Sequence, residues 1–293
     1  MEMIHPGGYF PAGRPTPAAA AVAAIHAAGG SGVEGWFPDG ADALPPHVAA
    51  ALALAAGARA RMAWSEAAEY LDGVSMLAPQ ISSTALKAAV ANEVACIALL
   101  RGDACEPADT EDVLADGAPP VEHGRTLLNA GVAAGLAGDA GAALDRFTEA
   151  ERILADAGDE HGLVLAGANR AWALVQAQEL AAAWRSAADA LKRARRAKDE
   201  HGTAVGLMAT ALVDLARGSA NGARQRFGEA QRGFSRTGDV LRQVQCCHAL
   251  GEIAYDGNDA IRAGALYRDG LALARPAGAQ DAIERLTLLF EHR

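Results

Sequence analysis

The chain has 293 residues, is 51% apolar but only 5% aromatic, and carries a net charge of −10. That length buries a sizeable core, as one long domain or two ordinary ones, and an alanine-rich core suits small-residue contacts between closely packed helices. The acidic balance argues for solubility and against general affinity for nucleic acid or an anionic membrane, and no apolar run approaches the roughly 20 residues that span a bilayer.

Residues 1–46 read as an irregular segment rich in proline and glycine, with Pro6, Pro11, Pro15, Pro17, Pro38, Pro45 and Pro46. The alanine run 18–28 follows Arg14 as in a leader sequence. Pro15, Pro17 and His26 break that resemblance, so the run reads as a short helix and the protein as cytoplasmic. "GGSGVEG" at 29–35 lacks the lysine of a phosphate loop and reads as a turn. The aromatics Tyr9, Phe10, Trp36 and Phe37 could anchor the segment as a strap or cap, where a flexible tail would not need them.

From 47 to the C-terminus the chain reads as helical repeats. Ala67, Leu71, Val74 and Pro79 mark an upstream unit, and an irregular acidic stretch follows over 101–124. Apolar spacing then predicts a helix over 125–136, a turn at Gly138 and a helix over 140–155 ending near Gly158. The next unit has helices over 162–176 and 180–197, with a break at Gln178. Ala143, Ala183, Ala223 and Ala263 recur every forty residues, as do Phe147, Ala187, Phe227 and Tyr267. Fixed-period self-similarity of this length means stacked supersecondary units. No sustained alternation of β-branched residues signals a strand.

"DEHG" occurs twice, at 159–162 and 199–202. An acid pair beside a histidine can serve a metal or a proton. Here each copy opens a unit, so Asp159 and Asp199 are expected to cap a helix, with Glu160 and Glu200 favouring its N-terminus. His161 and His201 then fall in first turns, one unit apart, and share no metal.

Gly131, Gly138, Ala143, Phe147 and Ala150, the set Ala211, Gly218, Ala223, Phe227 and Ala230, and Leu250, Gly251, Ala263 and Tyr267 fit one pattern. It resembles the tetratricopeptide repeat, with a period nearer that of the longer repeats in bacterial regulatory proteins. The unit 159–198 departs from it, with Ala171 for the glycine and Ala187 for the aromatic. The resemblance implies an all-α, right-handed solenoid of five to six antiparallel helix pairs plus a C-terminal helix. It also implies a protein- or peptide-binding scaffold whose first helices line a groove. The groove candidates are Arg125, Asn129, Asn169, Trp172, Gln176, Gln245, His248, Glu252 and Tyr255. The lysines of the family's carboxylate clamp are missing. A regulatory sensor that binds a small molecule or signalling peptide is the alternative, and a second copy of the chain stays open as a partner.

No serine lies in a nucleophile-elbow context, and no constellation supports an enzyme, a cofactor or a metal. Cys96, Cys105, Cys246 and Cys247 read as reduced thiols, and "CCH" at 246–248 as core on a helix that sends successive side chains about 100° apart. Residues 1–120 hold 14 acidic and 5 basic side chains, whereas 185–242 hold 12 basic and 6 acidic, densest in "KRARRAK" at 192–198. That band reads as a solvated helix face near a C-terminus, with an anionic docking patch as the competing reading.

Overall fold

The structure is a computed structural model. It describes residues 54–55, 58–59, 64–77, 84–101, 119–276 and 280–292. The expectations for 1–46, Pro79, Cys105 and most of the acidic stretch lie outside them.

Every described element is a helix. In chain order they are α1 (Trp64–Leu77), α2 (Thr84–Arg101), α3 (Pro120–Leu136), α4 (Ala140–Asp156), α5 (Glu160–Gln176), α6 (Leu180–Ala197), α7 (Glu200–Ala216), α8 (Ala220–Thr237), α9 (Val240–Asp256), α10 (Ala260–Ala274) and α11 (Gln280–His292). The irregular stretch ends earlier than the sequence suggests. Pro119 and Pro120 open α3, because proline suits a first helical turn, where its missing N–H has no partner to lose.

The forty-residue period resolves into two helices of 15–18 residues, each followed by a short turn. Positions 138, 158, 178, 198, 218, 238 and 258 all have positive φ, as Gly138, Gly158, Gln178, Lys198, Gly218, Gly238 and Asn258. This left-handed residue turns the chain back, and glycine takes it without a steric penalty. An aspartate usually follows. Asp139, Asp159, Asp199, Asp239 and Asp259 each accept a hydrogen bond from the backbone N–H three residues on, at 2.8–3.0 Å. Both copies of "DEHG" are therefore helix starts in the same series as the other three.

The chain forms two compact units that divide between residues 166 and 167, inside α5. In the first, α1 packs on α2, α2 on α3 and α3 on α4. In the second, each helix from α6 to α11 packs on the next. Small residues set the approach. A Cβ on Gly131 of α3 would lie 2.5 Å from the Phe147 ring of α4, so this aromatic fills the space that the glycine leaves inside its own helix pair. A Cβ on Gly206 of α7 would lie 2.7 Å from the backbone of Leu191 in α6. Phe147, Phe227 and Tyr267 are all buried.

Candidate functional site

The nine groove candidates do not share one environment. Arg125, Asn129 and Asn169 are closed to solvent. Trp172, Gln245, His248 and Glu252 are half-buried, while Gln176 and Tyr255 are exposed.

Arg125 and Asn129 belong to a buried polar network in the first unit. Glu93 of α2 bonds Arg59 at 2.9 Å and Arg125 at 2.8 Å. Arg125 also pairs with Glu122 at 3.0 Å. Asn92 donates to the Glu122 carboxylate at 2.8 Å and accepts from Thr126 at 2.9 Å, and Asn129 donates to the Asn92 carbonyl at 3.1 Å. Two arginines and two glutamates balance in charge here, which is what lets them sit out of water. The sequence reading missed Arg59, Asn92, Glu93 and Glu122. Asn92 precedes Asn129 by roughly one repeat, and that was the available signal.

The exposed candidates lie in the second unit. Trp172 and Gln176 stand one turn apart at the C-terminal end of α5. Gln245, His248, Glu252 and Tyr255 follow the 3-4-3 spacing of a single face of α9. Glu252 accepts a hydrogen bond from the Tyr267 hydroxyl at 2.5 Å. Gln245 Oε1 is buried and meets no donor among the described residues. An unfilled acceptor of this kind costs about 1–3 kcal/mol until something donates to it. Between α5 and α9 in the order of first helices comes α7, which is closed to solvent over 201–214 apart from Thr203 and mostly apolar there, with His201, Thr210 and Asp214 buried among its apolar residues.

The histidines of "DEHG" are buried. His201 Nε2 lies 3.1 Å from Asp239 Oδ2, and Arg242 reaches the same oxygen at 2.5 Å. Burial alone would raise the Asp239 carboxyl. Arg242 and the bond to His201 outweigh it and hold the group well below the usual carboxylate range. Among the described residues no group of three or more His, Cys, Asp or Glu side chains is placed to hold a metal ion. Burial pushes the Cys246 thiol well up and Cys247 to about 11, so both stay protonated at neutral pH. His248 points to a different, half-exposed side, as helical spacing requires.

The basic band carries a feature the sequence reading did not isolate. Trp184 of α6 lies under two guanidinium groups, those of Arg217 and Arg226, each 5.4 Å from the ring centroid. Beside it opens a pocket of about 460 Å³, lined by Trp184, Ala188, Leu191, Lys192, Arg195, Arg196, Thr210 and Arg226.

No family model matches the chain, and no curated protein matches it by sequence. Solved structures do. A Rap protein complexed with competence and sporulation factor superposes with a TM-score of 0.68 at 13% identity, over 83% of this chain and 70% of that one. The apo form of RapI gives 0.52 at 13% identity, over 62% of this chain and 68% of that one. The fold is a tetratricopeptide-like helical repeat. No described helix is long and apolar enough to cross a membrane.

Proposed function

We propose that this protein is a binding regulator that takes a peptide, or an extended segment of a partner protein, on the first-helix face of its second unit. Trp172, Gln176, Gln245, His248, Glu252 and Tyr255 are the contacts on this reading. Arg125, Asn129 and Asn169 support the helices from inside. The observation that carries it is the character of the α9 face. Four hydrogen-bonding side chains share one stripe there, and one of them, Gln245, keeps a buried carbonyl oxygen without a donor. An extended peptide brings backbone N–H groups that need acceptors, and aromatic side chains such as Tyr255 and Trp172 favour stacking. The Rap structure that this chain resembles holds competence and sporulation factor. That likeness favours a second, related reading, in which a signalling factor bound on this face alters how the protein engages a partner. A cytoplasmic place and a non-catalytic role accord with both.

The test is capture of native partners by the full chain and by a Trp172→Ala, Tyr255→Ala double variant. Both side chains are at least partly exposed, so the variant should keep its helical spectrum and melting point. It should lose the partners that the parent chain retains. Undiminished capture by a folded variant would remove this face as the binding site.

A further inference from the structure

The pocket beside Trp184 belongs to a different face. A stripe on α6 forms one wall, with Trp184, Ala188, Leu191, Lys192, Arg195 and Arg196. Arg226 of α8 and Thr210 of α7 complete the lining. These are mostly second-helix positions, whereas the face proposed above is built from first helices.

Charge is what sets this pocket apart. It contains four cationic side chains and no acidic one. Arg226 is already paired with Asp214. Lys192, Arg195 and Arg196 have no acidic partner among the described residues, although the chain as a whole is strongly acidic. The favourable effect of cations on a helix C-terminus accounts for Arg195 and Arg196, which are in the last turn of α6. It accounts also for Arg217, the C-cap of α7, but not for Lys192 one turn earlier in α6, nor for Arg226 inside α8, which converges with Arg217 on Trp184.

The form of the pocket selects among anions. A compact phosphate favours backbone N–H groups at a helix N-terminus. This pocket runs along the side of α6 toward its C-terminus, where the dipole is negative, so its anion recognition rests on side chains. Guanidinium forks match carboxylates well. The cations are strung along a helix beside the apolar surface of Ala188, Leu191 and the Trp184 ring. That arrangement fits a chain that alternates acidic and apolar groups. A single-stranded nucleic acid stacks its successive bases on aromatic side chains, and the pocket lining offers one aromatic, Trp184.

We propose that this pocket is a second docking site, which takes an acidic peptide segment of a partner protein. Its carboxylates pair with Lys192, Arg195 and Arg196, and one apolar or aromatic side chain lies against Trp184.

The test is fluorescence anisotropy on the full chain with a labelled peptide of glutamates around a central phenylalanine. The comparison probes are the same peptide with glutamine for glutamate and a labelled oligothymidylate of equal charge. The acidic peptide should bind at least about tenfold tighter than its glutamine counterpart and tighter than the oligonucleotide, and should weaken as salt rises. The variant Lys192→Gln, Arg195→Gln, Arg196→Gln alters only exposed side chains, keeps the parent's melt and should bind about tenfold more weakly. Trp172→Ala should leave this binding unchanged. Equal binding of the glutamine peptide, tighter binding of the oligonucleotide, or a triple variant that binds like the parent would each overturn the proposal. So would loss of the acidic peptide in Trp172→Ala, which would place it on the first-helix face instead.

Discussion

His201 of α7 is bonded to Asp239, the residue that caps α9, at 3.1 Å. The histidine of one repeat therefore braces the aspartate that opens the next first helix. Asp239 does three things at once. It caps the backbone N–H of Arg242, pairs with the Arg242 guanidinium and meets the His201 ring, all with no exposure to solvent.

Acid stability should follow from this. The Asp239 carboxyl is depressed from 3.8 in the folded chain. Its contribution is then complete above the unfolded value and disappears as pH falls from there toward the folded one. Urea unfolding of the parent chain should weaken as pH drops below about 4. Asp239→Asn should cost about 3–5 kcal/mol at neutral pH by taking the carboxylate away from the buried Arg242 guanidinium. It should also show a shallower fall in acid. An unchanged acid slope in that variant would mean other carboxylates control acid unfolding.

Glu93 is the shared acid of the buried network, bonded to both Arg59 and Arg125. Glu93→Gln keeps the shape but leaves two buried guanidinium groups facing a neutral amide. The loss should be about 3–5 kcal/mol by denaturant melt. Glu93→Gln combined with Arg125→Met should cost less than the two single losses added together, since the Glu93–Arg125 ion pair is lost once in the double variant but counted in both single ones. Strict additivity would show that the two groups do not stabilise each other.

Much of this fold is legible in the sequence because its period is written in small residues and turn residues. Gly138, Ala143 and Phe147 each play one local part, and helical spacing carries them to the right places. Helix α6 has the very bounds that its pattern predicts. The face of each helix is harder to read. Arg125 and Asn129 sit at groove-like positions, yet their partners Glu93 and Asn92 are more than thirty residues away, across a stretch where the period lapses. Nothing local distinguishes an arginine that faces solvent from one that meets a distant carboxylate. The Trp184 pocket has the same character, because Arg226 reaches it from another helix pair.

The turn positions differ in cost. Gln178 and Lys198 hold the left-handed conformation that glycine holds at 138, 158, 218 and 238. A side chain there costs about 1 kcal/mol or more through its Cβ. Gln178→Gly should therefore raise stability by several tenths of a kcal/mol to about 1 kcal/mol, the gain being reduced by the greater freedom of glycine in the unfolded chain. A melt that falls instead would mean that the Gln178 side chain makes a contact worth more than the strain.

The last prediction couples Gly131 and Phe147, whose ring would lie 2.5 Å from a Cβ on the glycine. Gly131→Ala must push the ring aside, and because Phe147 is fully buried there is little room for it to move. Overpacking of this kind costs about 1–3 kcal/mol. Phe147→Ala should cost about 3–5 kcal/mol by opening a cavity between α3 and α4. In the double variant the added methyl enters the space that the ring has left, and alanine also favours the helix more than glycine does. The double should thus be more stable than Phe147→Ala alone, and its cost should fall short of the sum of the singles by about 1 kcal/mol or more. Thermal and urea melts of the four proteins measure this directly. Additive losses would mean that the ring and the glycine are not in contact, and that α3 and α4 are held apart by something else.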